Sequence, residues 1–361
     1  VIKLLAVDDS ALVRKLFSRI FAEEPDFEVR FARNGLEALE QLKLFRPDVV
    51  TLDVHMPQLD GLACLDRIMI EHPCPVVMVS SLTAAGAEAT LEALRLGAVD
   101  FVAKPEGAVS LRLDVLAPEL VAKIRAAAGA KLRSSLRLKA RIQHRSAGGK
   151  APPPPATAGA AVVGPAPVAA TGDGLVLVGT STGGPPALEA LLLPLPATFP
   201  WPILVAQHMP ASFTGSLARR LDGLCAMTVV EVLRPMILQP GHVYIGRGDA
   251  DLIVSRRPAG LVAMAAPAQP GYPWHPSVDR LVRSAMQHLP PGQLIGVLMT
   301  GMGHDGAEAM ALLHAQGGRT IAEAEDTAIV WGMPGELAKA GGADWILPLP
   351  RIAERLRLLA P

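Results

Sequence analysis

Cysteine is nearly absent, with Cys64, Cys74 and Cys225 the only three in 361 residues. An odd count without metal-ligand spacing argues against a disulfide framework and a structural zinc site, and predicts free thiols in a reducing compartment. Aromatic side chains make up 4% of a chain that is 50% hydrophobic. The apolar content is therefore Val, Leu and Ala, the composition of parallel sheets covered by helices. Net charge is missing too: 34 basic residues cancel 34 acidic ones, which removes any global steering toward nucleic acid or membrane. Residues 151–172 carry no charge, but Pro152, Pro153, Pro154, Pro155, Pro165 and Pro167 interrupt any helix there. That segment predicts a linker and no direct membrane insertion. The strand-like run at residues 1–7 has no signal-peptide pattern ahead of it, which predicts a cytoplasmic protein.

What is present suggests two domains, since 361 residues exceed one typical core. In the first 127 residues, apolar runs at 2–7, 28–31, 48–52, 76–79 and 99–102 alternate with helical patterns. That is the βα alternation of a doubly wound parallel sheet, whose ligand site lies beyond the carboxyl ends of the strands. Those ends carry Asp8 and Asp9, Asp53, Ser80 and Lys104. Singly, each has an ordinary explanation as a helix cap, turn residue or solvated charge. Together, three converging carboxylates repel one another unless a hard cation such as Mg²⁺ joins them. Asp53 then suits a nucleophile toward phosphorus, with Lys104 neutralising the incoming group.

These residues, with 52-LDVHMP-57, Asp60-Gly61, 78-MVSS-81 and Lys104-Pro105, resemble a response-regulator receiver domain. The resemblance implies that Asp53 accepts the phosphoryl group and that Asp8 and Asp9, with Asp53, hold Mg²⁺. It also implies that Ser80 and Lys104 contact the phosphoryl group, that Phe101 is the aromatic switch, and that a sensor histidine kinase of chemotaxis type is the phosphodonor.

Residues 128–173 form the predicted linker. No acidic residue lies between Glu119 and Asp173, while Lys131, Arg133, Arg137, Lys139, Arg141, Arg145 and Lys150 make its first half basic. Without interleaved aromatics to stack on bases, this reads as a solvated hinge and not a nucleic-acid site. Its Pro/Ala/Gly half is too poor in large apolar groups to pack.

From residue 174 to 361 a second sheet is predicted, with strands at 175–178, 203–206, 294–299 and 319–321. Residues 229–264, including 243–245 and 252–254, are expected to form an antiparallel insertion. The organising stretch is 175-LVLVGTSTGGP-185. Here a buried strand runs into G-x-S-x-G, a turn that can lift the Ser181 hydroxyl off a sheet edge and aim the Thr182 amide at an oxyanion. The same glycines could cradle a phosphate or simply pack tightly, although no P-loop lysine follows them. A serine nucleophile needs a base and an acid that orients it. His208 in 207-QHMP-210 and Asp305 in 299-MTGMGHDG-306 stand at other predicted strand ends. The chain order Ser, His, Asp argues against the α/β-hydrolase superfamily.

Together with 276-PSVD-279 and 332-GMP-334, these motifs resemble the catalytic domain of the chemotaxis methylesterase CheB family. The resemblance implies hydrolysis of glutamyl methyl esters on methyl-accepting chemoreceptors, with glutamine deamidation. Ser181 would then be the nucleophile, His208 the base and Asp305 its orienting acid, with backbone amides of Thr182 and Met302 forming the oxyanion hole and no cofactor for the ester chemistry. His55, Trp274-His275 and His304 depart from residue types common in that family. The unphosphorylated receiver is expected to pack over the mouth of the Ser181 site. The competing readings are a phospho-switched binding module and a sugar-phosphate or nucleotide binder.

Overall fold

A computed structural model describes residues 1–104, 113–132 and 174–360 of the chain. The basic and proline-rich stretch beyond Leu132, which holds most of the predicted linker, and Pro105 lie outside the described residues.

The first unit alternates β1 (Ile2–Val7), α1 (Ala11–Ala22), β2 (Phe27–Ala32), α2 (Gly35–Phe45), β3 (Val49–Asp53), α3 (Gly61–Glu71), β4 (Val76–Ser80), α4 (Ala84–Leu96), β5 (Asp100–Ala103) and α5 (Leu113–Ala128). Its five parallel strands lie in the order β2-β1-β3-β4-β5, a flavodoxin-like sheet. β3 and β4 are buried along their whole length because helices cover both faces. Helix starts are set by small polar caps: Ser10, Asn34, Asp60 and Thr83 each accept a backbone N–H of the first turn. Ser10, and neither Asp8 nor Asp9, caps α1, which leaves both carboxylates facing the sheet edge.

The second unit is built on a seven-stranded parallel sheet. Its central strands are β6 (Leu175–Thr180), β7 (Ile203–Gln207) and β13 (Leu294–Leu298), followed outward by β14 (Arg319–Glu323) and β15 (Trp345–Leu347) on one side. β10 (His242–Gly246) and β8 (Thr228–Val232) complete the other side. The antiparallel insertion is therefore smaller than the sequence pattern suggested. Residues 243–245 pair parallel with β7 and β8, and only β9 (Met236–Ile237), β11 (Ala250–Arg257) and β12 (Gly260–Pro267) form a separate antiparallel sheet. Short apolar runs look alike in parallel and antiparallel pairing, so only the tertiary partner separates them. The sheet is covered by α6 (Gly184–Leu192), α7 (Ala211–Asp222), α8 (Val278–Met286), α9 (Ala307–Ala315), α10 (Met333–Lys339) and α11 (Leu349–Leu359). Among the described residues no helix is long and apolar enough to cross a membrane.

The two units share one apolar core: a single cluster of buried residues runs from the receiver's α2–α4 face to the α6–α7 face of the second sheet.

Candidate active site

Ser181 stands where β6 gives way to α6, between two neighbouring strand ends. Thr180 is in register with Gln207 on β7, and the Ser181 amide donates to the Thr300 carbonyl beyond β13 at 3.0 Å. His208 is thereby set beside the serine turn, and its own amide donates to the Thr180 carbonyl at 3.0 Å. Close backbone approach explains two glycines. A Cβ on Gly301 would stand 2.8 Å from the Ser181 Cβ and 2.4 Å from the Met333 sulfur, and one on Gly184 would stand 1.8 Å from Gln207 Oε1.

Asp305 and His208 meet: the imidazole Nε2 and Asp305 Oδ2 are 2.8 Å apart. The Asp305 carboxylate, 2% exposed, also accepts from Ser277 Oγ at 3.0 Å, the Val278 amide at 2.7 Å and the Asp279 amide at 3.1 Å. Burial by itself pushes this carboxyl up, yet the His208 hydrogen bond and charge and the helix-start amides outweigh it and hold it below the ordinary carboxylate range. The pairing fixes the tautomer. With Nε2–H directed at Asp305, Nδ1 is the nitrogen with a free lone pair, and it is buried without a hydrogen-bond partner. The amides of Thr182 and Met302 donate to no acceptor among the described residues. Trp274 stacks on the His208 ring, centroids 5.8 Å apart and planes 4° from parallel, and meets His304 edge-on at 5.1 Å.

Two supporting residues escape sequence reasoning. Gln207 donates from Nε2 to the carbonyls of both Ser181 and His208 at 3.0 Å and accepts the Thr180 hydroxyl at 2.6 Å. Thr300 Oγ1 donates to the Thr182 carbonyl at 2.9 Å. Both are buried polar groups beside sheet ends. Such a position is a signal that a sequence carries, but the hydrogen-bond partners are set by contacts across strands.

In the receiver, Asp53 is 1% exposed and its Oδ2 accepts Lys104 Nζ at 2.6 Å. Burial, reinforced by the Asp8 charge, holds the Asp53 carboxyl above the ordinary range despite that hydrogen bond. Carboxylate oxygens of Asp8, Asp9 and Asp53 lie within 4.8 Å of one another. Asp8 Oδ2 is buried without a hydrogen bond, with Lys104 Nζ at 3.1 Å as counter-charge only. An orphaned acceptor within an all-oxygen donor set fits a Mg²⁺ ion. Ser80 stands at the adjoining strand end, but its hydroxyl turns to the Gly86 carbonyl at 3.1 Å and makes no bond to Asp53 among the described residues.

The far end of β5 reaches the second unit. The Phe101 ring is buried against Phe213 of α7, centroids 4.4 Å apart. Its neighbour Asp100 accepts the Thr182 hydroxyl through Oδ2, a bond buried on both sides. Lys123 backs this contact by donating to the Phe101 carbonyl at 2.9 Å, with its ammonium 3.8 Å from Asp100. Arg220 bridges Glu189 of α6 and Glu92 of α4, while Lys131 pairs with Glu325 at 3.1 Å. The receiver thus touches the residue that directly follows Ser181.

A flavodoxin-like receiver joined to a larger, mainly parallel α/β sheet defines the class: a response regulator whose output domain is a hydrolase. Residues 176–356 match the model of the CheB methylesterase, and residues 4–115 match the response regulator receiver domain. The protein-glutamate methylesterase/protein-glutamine glutaminase 2 of Rhodopseudomonas palustris is 59% identical over 98% of this chain and 96% of its own length. A counterpart numbered 3 in Rhodospirillum rubrum is 53% identical over 98% of this chain and 95% of its own. The crystal structure of the Thermotoga maritima CheB methylesterase catalytic domain superposes with a TM-score of 0.50 at 37% identity, covering 52% of this chain and 98% of that one. The chain belongs to the CheB methylesterase family.

Proposed function

We propose that this protein hydrolyses glutamyl methyl esters on the cytoplasmic helices of methyl-accepting chemoreceptors, deamidates glutamines there, and is activated when a chemotaxis-type sensor histidine kinase phosphorylates Asp53. The observation that carries the catalytic reading is the half-buried His208 held by the buried Asp305 beside the Ser181 turn, with Nδ1 left free. Ser181 Oγ attacks the ester carbonyl while its proton passes to His208 Nδ1. The carbonyl oxygen becomes an oxyanion facing the Thr182 and Met302 amides, where a single donor is commonly worth about 3–4 kcal/mol. Collapse of the tetrahedral species breaks the bond to methoxide, which takes the proton from Nδ1 and leaves as methanol. Water, deprotonated by the same nitrogen, then cleaves the acyl-serine to a glutamate carboxylate and restores Ser181. Throughout, Asp305 stays ionised and holds the ring.

The domain assignment of residues 1–127 as receiver, 128–173 as linker and 174–361 as catalytic unit belongs to the same proposal. So do the roles of Asp8, Asp9 and Asp53 as Mg²⁺ ligands, of Ser80 and Lys104 as phosphoryl contacts, and of Phe101 as the switch. Mg²⁺ would supply charge neutralisation for transfer to Asp53; the ester chemistry needs no cofactor. A phosphoryl group on Asp53 adds about −1.5 to −2 charges, drawing on Lys104 and Ser80 and so on β5, whose opposite end holds Phe101 and Asp100. Loss of the Asp100–Thr182 and Phe101–Phe213 contacts would free the serine turn. The zero net charge gives no global pull toward nucleic acid, and the setting is the cytoplasm.

The test is methanol release from methylated receptor by the wild type, Ser181→Ala and Asp53→Ala, each with and without acetyl phosphate. Release abolished in Ser181→Ala, and stimulation abolished with basal release kept in Asp53→Ala, is the expected pattern. A wild type that releases no methanol under either condition would overturn it.

A further inference from the structure

Behind the catalytic pair lies a second buried carboxylate that the reaction does not use. Asp251, on β11, is 0% exposed. Its Oδ1 accepts the Ser277 amide at 2.7 Å and His275 Nδ1 at 2.9 Å, and its Oδ2 accepts Arg280 Nη1. These three donors come from the short stretch that opens α8. Ser277 is the cap of that helix, and the residues on either side of the cap serve the site in different ways.

One branch leads to Asp305. Ser277 Oγ and the Val278 and Asp279 amides are the groups that, with His208, saturate the Asp305 carboxylate. Fixing the Ser277 amide fixes where that cradle stands. The other branch leads to the ring itself. His275 follows Trp274, whose indole lies parallel to the His208 imidazole. Anchoring His275 anchors the covering indole. A buried carboxylate with no partner would be costly, but one that accepts from an amide, an imidazole and a guanidinium is saturated and therefore rigid. A displacement of about 1 Å at such a support can cost on the order of 100-fold in rate.

We propose that Asp251 is a positioning residue of the esterase site, holding the start of α8 so that Asp305 and Trp274 address His208 from two sides. This rests on the catalytic reading above. Asp251→Asn in the full chain replaces Oδ2, or after a flip Oδ1, by an NH₂ that confronts a donor, so the turn must shift. The expected result is a fall in kcat of roughly 10- to 100-fold, with KM for methylated receptor within about twofold because the outer surface is untouched. The proton NMR signal of the His208–Asp305 bridging proton, read without substrate, is expected to move or broaden.

An Asp251→Asn protein that unfolds at the wild-type midpoint, keeps the wild-type kcat and keeps that signal unshifted would overturn the proposal. Should Asp251→Asn not fold, His275→Ala tests the Trp274 branch: kcat falls while the bridging-proton signal stays, and an unchanged kcat overturns the proposal. The NMR signal also separates two failures. A wild type that releases no methanol but whose bridging proton responds to Asp251→Asn contradicts the assigned reaction and leaves the positioning role standing.

Discussion

Asp100→Asn in the full-length protein tests the link between the receiver and the ester site. In the wild type, Asp100 Oδ2 accepts the Thr182 hydroxyl while Oδ1 accepts the Phe101 amide at 2.7 Å. An asparagine whose Oδ1 keeps the Phe101 amide turns its NH₂ to the Thr182 hydroxyl, which can accept, so the bond to a charged acceptor becomes one between neutral groups. Exchanging a hydrogen bond to a charged acceptor for a neutral one costs about 1–1.5 kcal/mol. Were all of it drawn from the docked state, the ratio of docked to undocked receiver would fall about 5- to 12-fold at roughly 1.4 kcal/mol per decade. Lys123 keeps the Phe101 carbonyl and Glu119 as partners, so the receiver itself should stay folded. The assay is methanol release from methylated receptor without phosphodonor, with Asp100→Asn/Ser181→Ala as the blank. The basal rate should rise toward that of the isolated 174–361 unit, and acetyl phosphate should add correspondingly less. An unchanged basal rate in a cooperatively folded variant would show that the Thr182 contact does not restrain the site.

Three further outcomes follow from the geometry. Asp305→Asn should lower kcat on the order of 10⁴-fold by allowing the wrong imidazole tautomer. Because the folded state holds the Asp305 carboxyl below its ordinary range, its stabilising contribution is present above the unfolded value and lost as pH falls through the folded one. Urea midpoints taken across the acid range should therefore fall less steeply in Asp305→Asn than in the wild type. Gly184→Ala would push a methyl against Gln207 Oε1, releasing the Ser181 and His208 carbonyls. Esterase activity should collapse and denaturant unfolding should report a loss of about 1–3 kcal/mol. Removing divalent cations with a chelator should abolish stimulation by acetyl phosphate and leave the basal methanol release intact, since the acidic cluster Asp8, Asp9 and Asp53 belongs to the receiver alone.

Much of the architecture is legible in the sequence because parallel strands buried on both faces appear as short apolar runs, and their carboxyl ends are where polar residues stand out. Asp8, Asp9, Asp53 and Lys104 on one sheet, and Ser181, His208 and Asp305 on the other, are separated by tens of residues yet mark the same edges. The strands at 243–245 and 228–232 were not separable from the antiparallel insertion, since pairing direction leaves no trace in a five-residue apolar run. β15 is shorter still, three residues at the sheet edge.

The sequence by itself determined the two sheets, the strand-end residues and the family, because these depend on periodicity and on local turn chemistry. Only the tertiary structure decided which nitrogen of His208 faces Asp305, that the start of α8 saturates that carboxylate, that Asp251 anchors that start, and that Asp100 reaches Thr182. Each of these is a contact between segments distant in the chain, satisfied because a buried polar atom must find a partner wherever the packing brings one near. A single chain pattern records that such an atom exists, and the fold alone supplies its partner.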